Sequence, residues 1–246
     1  EPSEFGLVGM ALVVINIFNV FTEFGFASAL VQNRDNTSVT YSSIFFINII
    51  SGLVLCLVFQ FLAPFIGKFY DQQIIGELIQ WLSLSFIISS FNIVQRTILR
   101  RNLEFKKLAL RIVTSQVIGG IIGVVMAFRG YGVYALIAQN LLGALFGSFV
   151  LWRTSEWFPK WEFSWKEVKK LSGFSAFMFF DKMATALFAQ INTLFLGKAF
   201  SPAIVGYYAR AESLNNLISE YSANGISKVF FPVLSSVKDK EEQFFR

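Results

Sequence analysis

Residues 41–67 read YSSIFFINIISGLVLCLVFQFLAPFIG, 27 consecutive positions without a Lys, Arg, Asp or Glu. A helix that crosses a bilayer needs roughly 20 mostly apolar residues, and this block exceeds that length. Six further stretches share its character: roughly 6–30 before it, then 75–98, 108–128, 131–152, 171–196 and 203–232, the last two carrying several charges. Apolar residues make up 54% of the chain and charged residues 15%, with a mean hydropathy of +0.57. Soluble domains carry about 25% charged residues, so seven such blocks leave too little polar chain to coat a globule. The sequence therefore predicts an all-α, polytopic membrane helix bundle of about seven transmembrane helices.

Loop charge supplies a direction. The loops 31–40, 99–107 and 153–170 and the tail 233–246 hold 13 Lys and Arg, whereas 1–5, 68–74, 129–130 and 197–202 hold only Lys68, Arg129 and Lys198. Cytoplasmic loops collect basic residues, so the first set is expected in the cytoplasm. This asymmetry accounts for the formal charge of +5 without a nucleic-acid partner. The chain opens on Glu1 and closes in the charged run Lys238-Asp239-Lys240-Glu241-Glu242, so a piece of a longer protein is expected, with a span preceding residue 1. Within 153–170, Trp157, Trp161 and Trp165 alternate with Lys160, Lys166, Lys169 and Lys170. Aromatic rings beside lysines suit the headgroup layer, which predicts a short interfacial helix there.

Cysteine and histidine usage narrows the chemistry. The single Cys56 falls inside a span and forms no internal disulfide, and the chain contains no His. Histidine acid/base work and the common zinc sites are thereby excluded within these residues, and neither metal nor cofactor is expected. The sequon Asn36-Thr37-Ser38 falls on the side assigned to the cytoplasm and is discounted. Gly119/Gly123 and Gly143/Gly147, in adjacent spans, allow close helix contact.

Polar residues inside spans are costly and usually face a bundle interior or a wet cavity. On the first span Asn16, Asn19 and Glu23 share one face; on the sixth, Asp181, Thr185 and Asn192 do so, flanked by Lys182 and Thr193. On the seventh, Arg210, Ser213, Glu220, Tyr221, Asn224 and Lys228 occupy one arc. Three polar faces predict one water-accessible cavity, with interhelical hydrogen bonds and ion pairs as the alternative. The cations Arg111, Lys182 and Arg210 and the carboxylates Glu23, Asp181 and Glu220 are its candidate charged groups, with Asn16, Asn192 and Tyr221 as neutral ones.

A shift of 200 residues lays Pro2, Gly6, Ala11, Asn16 and Gly25 on Pro202, Gly206, Ala211, Asn216 and Gly225. The two spans so related are six apart and cross in the same direction, as in transporters built from two parallel lobes. Residues 1–152 would then form most of a first lobe lacking its first span, 153–170 a cytoplasmic interfacial linker, and 171–246 the start of a second lobe. Several motifs carry a resemblance: Pro2-x-x-Phe5-Gly6, Gly25-Phe26-x-x-Ala29-Leu30-Val31-Gln32, Leu99-Arg100-Arg101-Asn102-Leu103-x-Phe105-Lys106-Lys107-Leu108-Ala109, Gly130-Tyr131-Gly132-Val133-Tyr134-Ala135-Leu136, Val205-Gly206-Tyr207-Tyr208-x-Arg210-Ala211 and Phe231-Pro232-Val233-Leu234-Ser235. Together they resemble the polysaccharide transporter family of the multidrug/oligosaccharidyl-lipid/polysaccharide exporter superfamily over nearly the whole chain.

The resemblance implies a bacterial inner-membrane flippase, not an enzyme, that moves undecaprenyl-pyrophosphate-linked oligosaccharide outward by alternating access for surface polysaccharide synthesis. Its partners would be that lipid-linked substrate, membrane lipid and other membrane proteins of glycan assembly. Lys182 and Arg210 would meet the headgroup, with Arg111 as a further contact or a snorkelling side chain, and Glu23 and Asp181 would couple an ion or pair the cations. Members often carry Asp where this chain has Asn192, which holds no titratable proton. A multidrug exporter of the same superfamily and a membrane-embedded glycan polymerase or ligase are the alternative readings.

Overall fold

The computed structural model describes residues 2–33 and 35–219, and these form eight α-helices and one 3-10 turn with no strand. The helices are α1 (Pro2–Asn19), α2 (Phe26–Gln32), α3 (Ser38–Phe69), α4 (Gln73–Arg101), α5 (Phe105–Phe128), α6 (Val133–Thr154), α7 (Trp165–Ala199) and α8 (Pro202–Ser219). Among the described residues, five stretches are long and apolar enough to cross a membrane: Ser3–Thr22, and the whole of α3, α4, α5 and α6. Their outer surfaces carry exposed Phe61, Phe65, Phe128 and Phe149, side chains that lipid solvates and water does not.

Block 41–67 lies within α3, which starts at a reciprocal cap: Thr37 Oγ1 accepts from Thr40 N at 3.3 Å, and Thr37 N donates to Thr40 Oγ1 at 3.2 Å. Pro64 lies inside α3 without ending it. The antiparallel α3–α4 pair is locked by Gln60 Nε2, which donates to Gln80 O at 3.0 Å and to Ser83 Oγ at 2.9 Å. The α5–α6 pair closes where Gly119 meets Gly143, as the small-residue pairs predict; a methyl group added to Gly119 would lie 3.1 Å from Gly143 Cα.

Three expectations change. The first block, 6–30, is not one helix: α1 stops at Asn19, a 3-10 turn covers Val20–Thr22, and α2 restarts at Phe26. Residues 155–164 are irregular where a short interfacial helix is predicted, because Ser42 and Ser43 of α3 accept the backbone N–H groups of Lys160 (3.1 Å) and Ser164 (2.9 Å) through their hydroxyls. Trp161 stacks on Phe46 there, with its other face exposed. Block 171–196 lies inside the 35-residue α7, and neither α7 nor α8 reaches the apolarity of the five spans. Of block 203–232, residues beyond Ser219 lie outside the described residues.

The described loops of the two sets do gather at opposite ends, the tail 233–246 lying outside the described residues. At the basic end Arg101 donates to Tyr41 Oη at 2.7 Å, Lys107 to Glu156 at 3.4 Å, and Thr40 Oγ1 to Glu167 at 2.8 Å. At the other end Lys198 donates to Asp71 at 2.8 Å and Tyr134 to Glu77 at 2.9 Å. The helices matched by the 200-residue shift, α1 and α8, pack side by side and in parallel. Gly6 meets Pro202 and Gly206, Gly9 faces Ala209, and a methyl group added to Gly6 would lie 1.7 Å from Pro202 O.

Candidate functional site

The break in the first span creates the site. After the turn, Phe24 (φ 43°) and Gly25 (φ 74°) adopt left-handed backbone, conformations that cost an L-residue about 1–2 kcal/mol and glycine nothing comparable. Interrupting a helix at membrane depth frees carbonyls that need donors. Here Thr22 Oγ1 donates to Asn19 O at 2.7 Å, Ser51 Oγ of α3 to Phe21 O at 2.6 Å, and Phe26 N to Glu23 O at 2.8 Å. Gly25 also presses on α7: an added methyl would sit 2.3 Å from Ser175 O.

Beside the break lies a cavity of about 300 Å³. Asn16 and Asn19 reach it from α1, Thr22 and Glu23 from the break, Arg96, Thr97 and Arg100 from α4, and Lys182 from α7. Lys182 Nζ and Glu23 Oε1 form an ion pair across it, both side chains partly exposed. Arg96 Nε donates to Asn92 O at 3.4 Å, and its guanidinium lies in the field of Glu23, Arg100 and Arg111. Arg111 approaches from α5 with a buried Nε that has no hydrogen-bond partner among the described residues. An adjoining hollow shares Ala27, Thr97, Arg100 and Lys182 and extends past Gln32 and Phe174. Among the described residues the lining of the cavity thus has Arg96, Arg100 and Lys182 against Glu23 alone, an excess of positive charge suited to a polyanion.

A family model described as "Polysaccharide biosynthesis protein" matches residues 1–246. The chain belongs to this family. The chain is 26% identical over 244 residues to the succinoglycan biosynthesis transport protein ExoT of Rhizobium meliloti, covering 99% of this chain and 49% of that one. It is 25% identical over 250 residues to the lipopolysaccharide biosynthesis protein WzxC of Escherichia coli, covering 99% and 50%, and 24% identical over 224 residues to the teichuronic acid biosynthesis protein TuaB of Bacillus subtilis, covering 89% and 46%. The chain spans about half the length of these relatives. No solved structure matches it. Family and apolar helices together make it a multi-pass bacterial membrane protein.

The structure brings only part of the predicted polar stripes together. Asn16, Glu23 and Lys182 meet in the cavity, with Arg111 alongside. Asp181 points away: it is exposed, and its carbonyl accepts from Thr185 Oγ1 at 2.9 Å, so the predicted stripe of α7 turns outward while its flanking residues turn in, Lys182 at the cavity and Thr193 into buried packing. Asn192 lines a separate hollow with Tyr208. Arg210 lies over the ring of Phe5 at 3.8 Å, in a third hollow, so in this conformation one headgroup does not touch both Lys182 and Arg210. Glu220 and Tyr221 lie outside the described residues. The sequence reading placed no role on Arg96 and Arg100. Their signal was the i, i+4 spacing, which sets both guanidinium groups on one face of α4.

Proposed function

We propose that the full-length protein is a flippase for surface-polysaccharide synthesis and that the cavity at the broken first span receives the diphosphate of a polyprenyl-linked saccharide. The carrying observation is the convergence of Arg96, Arg100 and Lys182 on the break that follows the stretch Ser3–Thr22, with Glu23 as the one carboxylate among the described lining residues. Guanidinium groups match phosphate oxygens two at a time, which suits Arg96 and Arg100 to a diphosphate. The relatives' names, which speak of transport and of succinoglycan, lipopolysaccharide and teichuronic acid synthesis, support the same reading. A cationic amphipath, the cargo of a multidrug exporter, would be repelled from such a lining.

In this mechanism residues 1–152 and 171–246 belong to two lobes that rock about α1 and α8, with 153–170 as the linker on the cytoplasmic face. Lys182 is shared between Glu23 and the incoming diphosphate: when phosphate displaces the carboxylate, Glu23 is released to take up a proton or another cation. Arg111 adds positive field from α5. Asn16 offers a neutral donor to the same ligand, while Asp181, Asn192, Glu220 and Tyr221 would enter only in another conformation.

The test is translocation of a fluorescent polyprenyl-diphosphate saccharide by the full-length protein in proteoliposomes. Arg96→Gln with Arg100→Gln is expected to lower the rate by about 100-fold or more, since each lost charge-assisted contact is worth about 1.5–3 kcal/mol and 1.4 kcal/mol is tenfold. Membrane abundance should stay unchanged. Wild-type transport rates in the double variant would overturn the assignment.

A further inference from the structure

Arg210, taken from sequence as a second headgroup cation, stands elsewhere, and its surroundings differ in kind. It closes a hollow of about 260 Å³ between α1, α6 and α8, lined by Phe5, Val8, Leu12, Leu136, Gln139 and Asn140 among others. Along α1 the distance from Phe5 to Asn19 of the cationic cavity is roughly 20 Å at 1.5 Å per residue. A diphosphate does not bridge that gap, whereas several linked sugar rings do.

We infer that the Phe5–Gln139–Asn140–Arg210 hollow is a saccharide subsite that holds the distal rings of the lipid-linked unit while the diphosphate occupies the cationic cavity. The inference rests on the flippase reading above and adds a second station to it. Three observations favour a sugar over a phosphate. The hollow has one cation, and that cation is spread over an aromatic face at 3.8 Å, with no carboxylate of the described residues at ion-pair distance. Its two neutral polar groups are carboxamides, which both donate to and accept from hydroxyls; Asn140 Nδ2 is committed to Leu136 O at 2.8 Å, leaving Oδ1 to accept. The remaining wall of Val8, Leu12, Leu136 and the Phe5 ring is apolar, a partner for the C–H face of a pyranose, and such a wall with a few convergent polar groups is the usual make-up of a small-molecule site. Position agrees: α8 belongs to the segment after the linker and α6 to the segment before it, so the hollow lies where the two lobes would face each other.

The experiment compares two substrates on the full-length protein in proteoliposomes: polyprenyl diphosphate bearing one sugar, and the same lipid bearing the complete repeating unit. Arg210→Gln, and separately Gln139→Ala with Asn140→Ala, should slow the complete unit by about tenfold, the value of one good polar contact. The single-sugar lipid should move within about twofold of wild type. Arg96→Gln should slow both. Equal losses on both substrates, or no loss on either, would overturn the subsite while leaving the cationic cavity intact. A wild-type protein that moves neither lipid would instead bring down the flippase reading and the subsite with it. All the substituted side chains are at least partly exposed, so membrane abundance and melting temperature should match wild type. Loss of the complete unit only in poorly folded protein would count against the subsite.

Discussion

The α3–α4 hairpin and the first span are built from similar amino acids and end as opposites. α3 keeps one helix through 32 residues although it contains Pro64, Gly52 and Gly67, while the first span breaks after 18. In α3 the polar side chains Ser42, Ser43, Asn48 and Ser51 are turned into protein, and the ladder needs no outside help. In the first span, Asn16, Asn19 and Glu23 point into a cavity, and the carbonyls freed at the turn are answered by Thr22 and by Ser51 of α3. Hydrophobicity decides that both segments enter the membrane. α3 stays one helix and the first span does not, and the broken one carries the site.

The comparison breaks most severely at Gly25. Gly25→Ala combines a left-handed backbone with a methyl 2.3 Å from Ser175 O, and a loss of about 3 kcal/mol in unfolding free energy is expected from the two together. Gly120→Ala, where an added methyl meets nothing, is the control and should be neutral or slightly stabilising. Equal behaviour of the two variants in detergent melts would show that the break is not held by Gly25.

A smaller effect tests whether charge holds the break. A double-mutant cycle of Glu23→Gln and Lys182→Gln should return a coupling of about 1–2 kcal/mol, because the pair spans the cavity between the break and α7. A coupling of zero would mean that backbone geometry alone maintains the kink. The smallest change joins the two regions directly. Ser51→Ala removes the donor to Phe21 O, and a hydrogen bond inside a membrane bundle averages about 0.6 kcal/mol. Its effect should vanish in any variant where the first span has become a continuous helix.

Much of the architecture was legible in residue order because lipid imposes simple demands. Blocks such as 41–67 had to become helices, and Gly119 and Gly143 had to let two of them touch. The segregation of Lys and Arg also foretold which loops share an end, as Lys107 with Glu156 and Thr40 with Glu167 confirm. The site was legible in part. Asn16, Asn19 and Glu23 share a helical face on paper and still share the cavity, even though the helix ends at Asn19. Periodicity misjudged α7, where the polar stripe turned outward and its flanking Lys182 and Thr193 turned in, because helical spacing says which residues lie together but not which way they face.

The sequence alone determined that this chain lives in a membrane and which of the described loops gather at its basic end, since those follow from how apolar and basic residues are distributed along the chain. Only the tertiary structure decided that the first block breaks at Gly25, that Arg96 and Arg100 join Lys182 around Glu23, and that Arg210 stands apart over Phe5. Those outcomes depend on which neighbour supplies a hydrogen bond, a countercharge or a gap for a missing side chain. Such partners lie as far as 159 positions apart in the chain, beyond the reach of any local pattern.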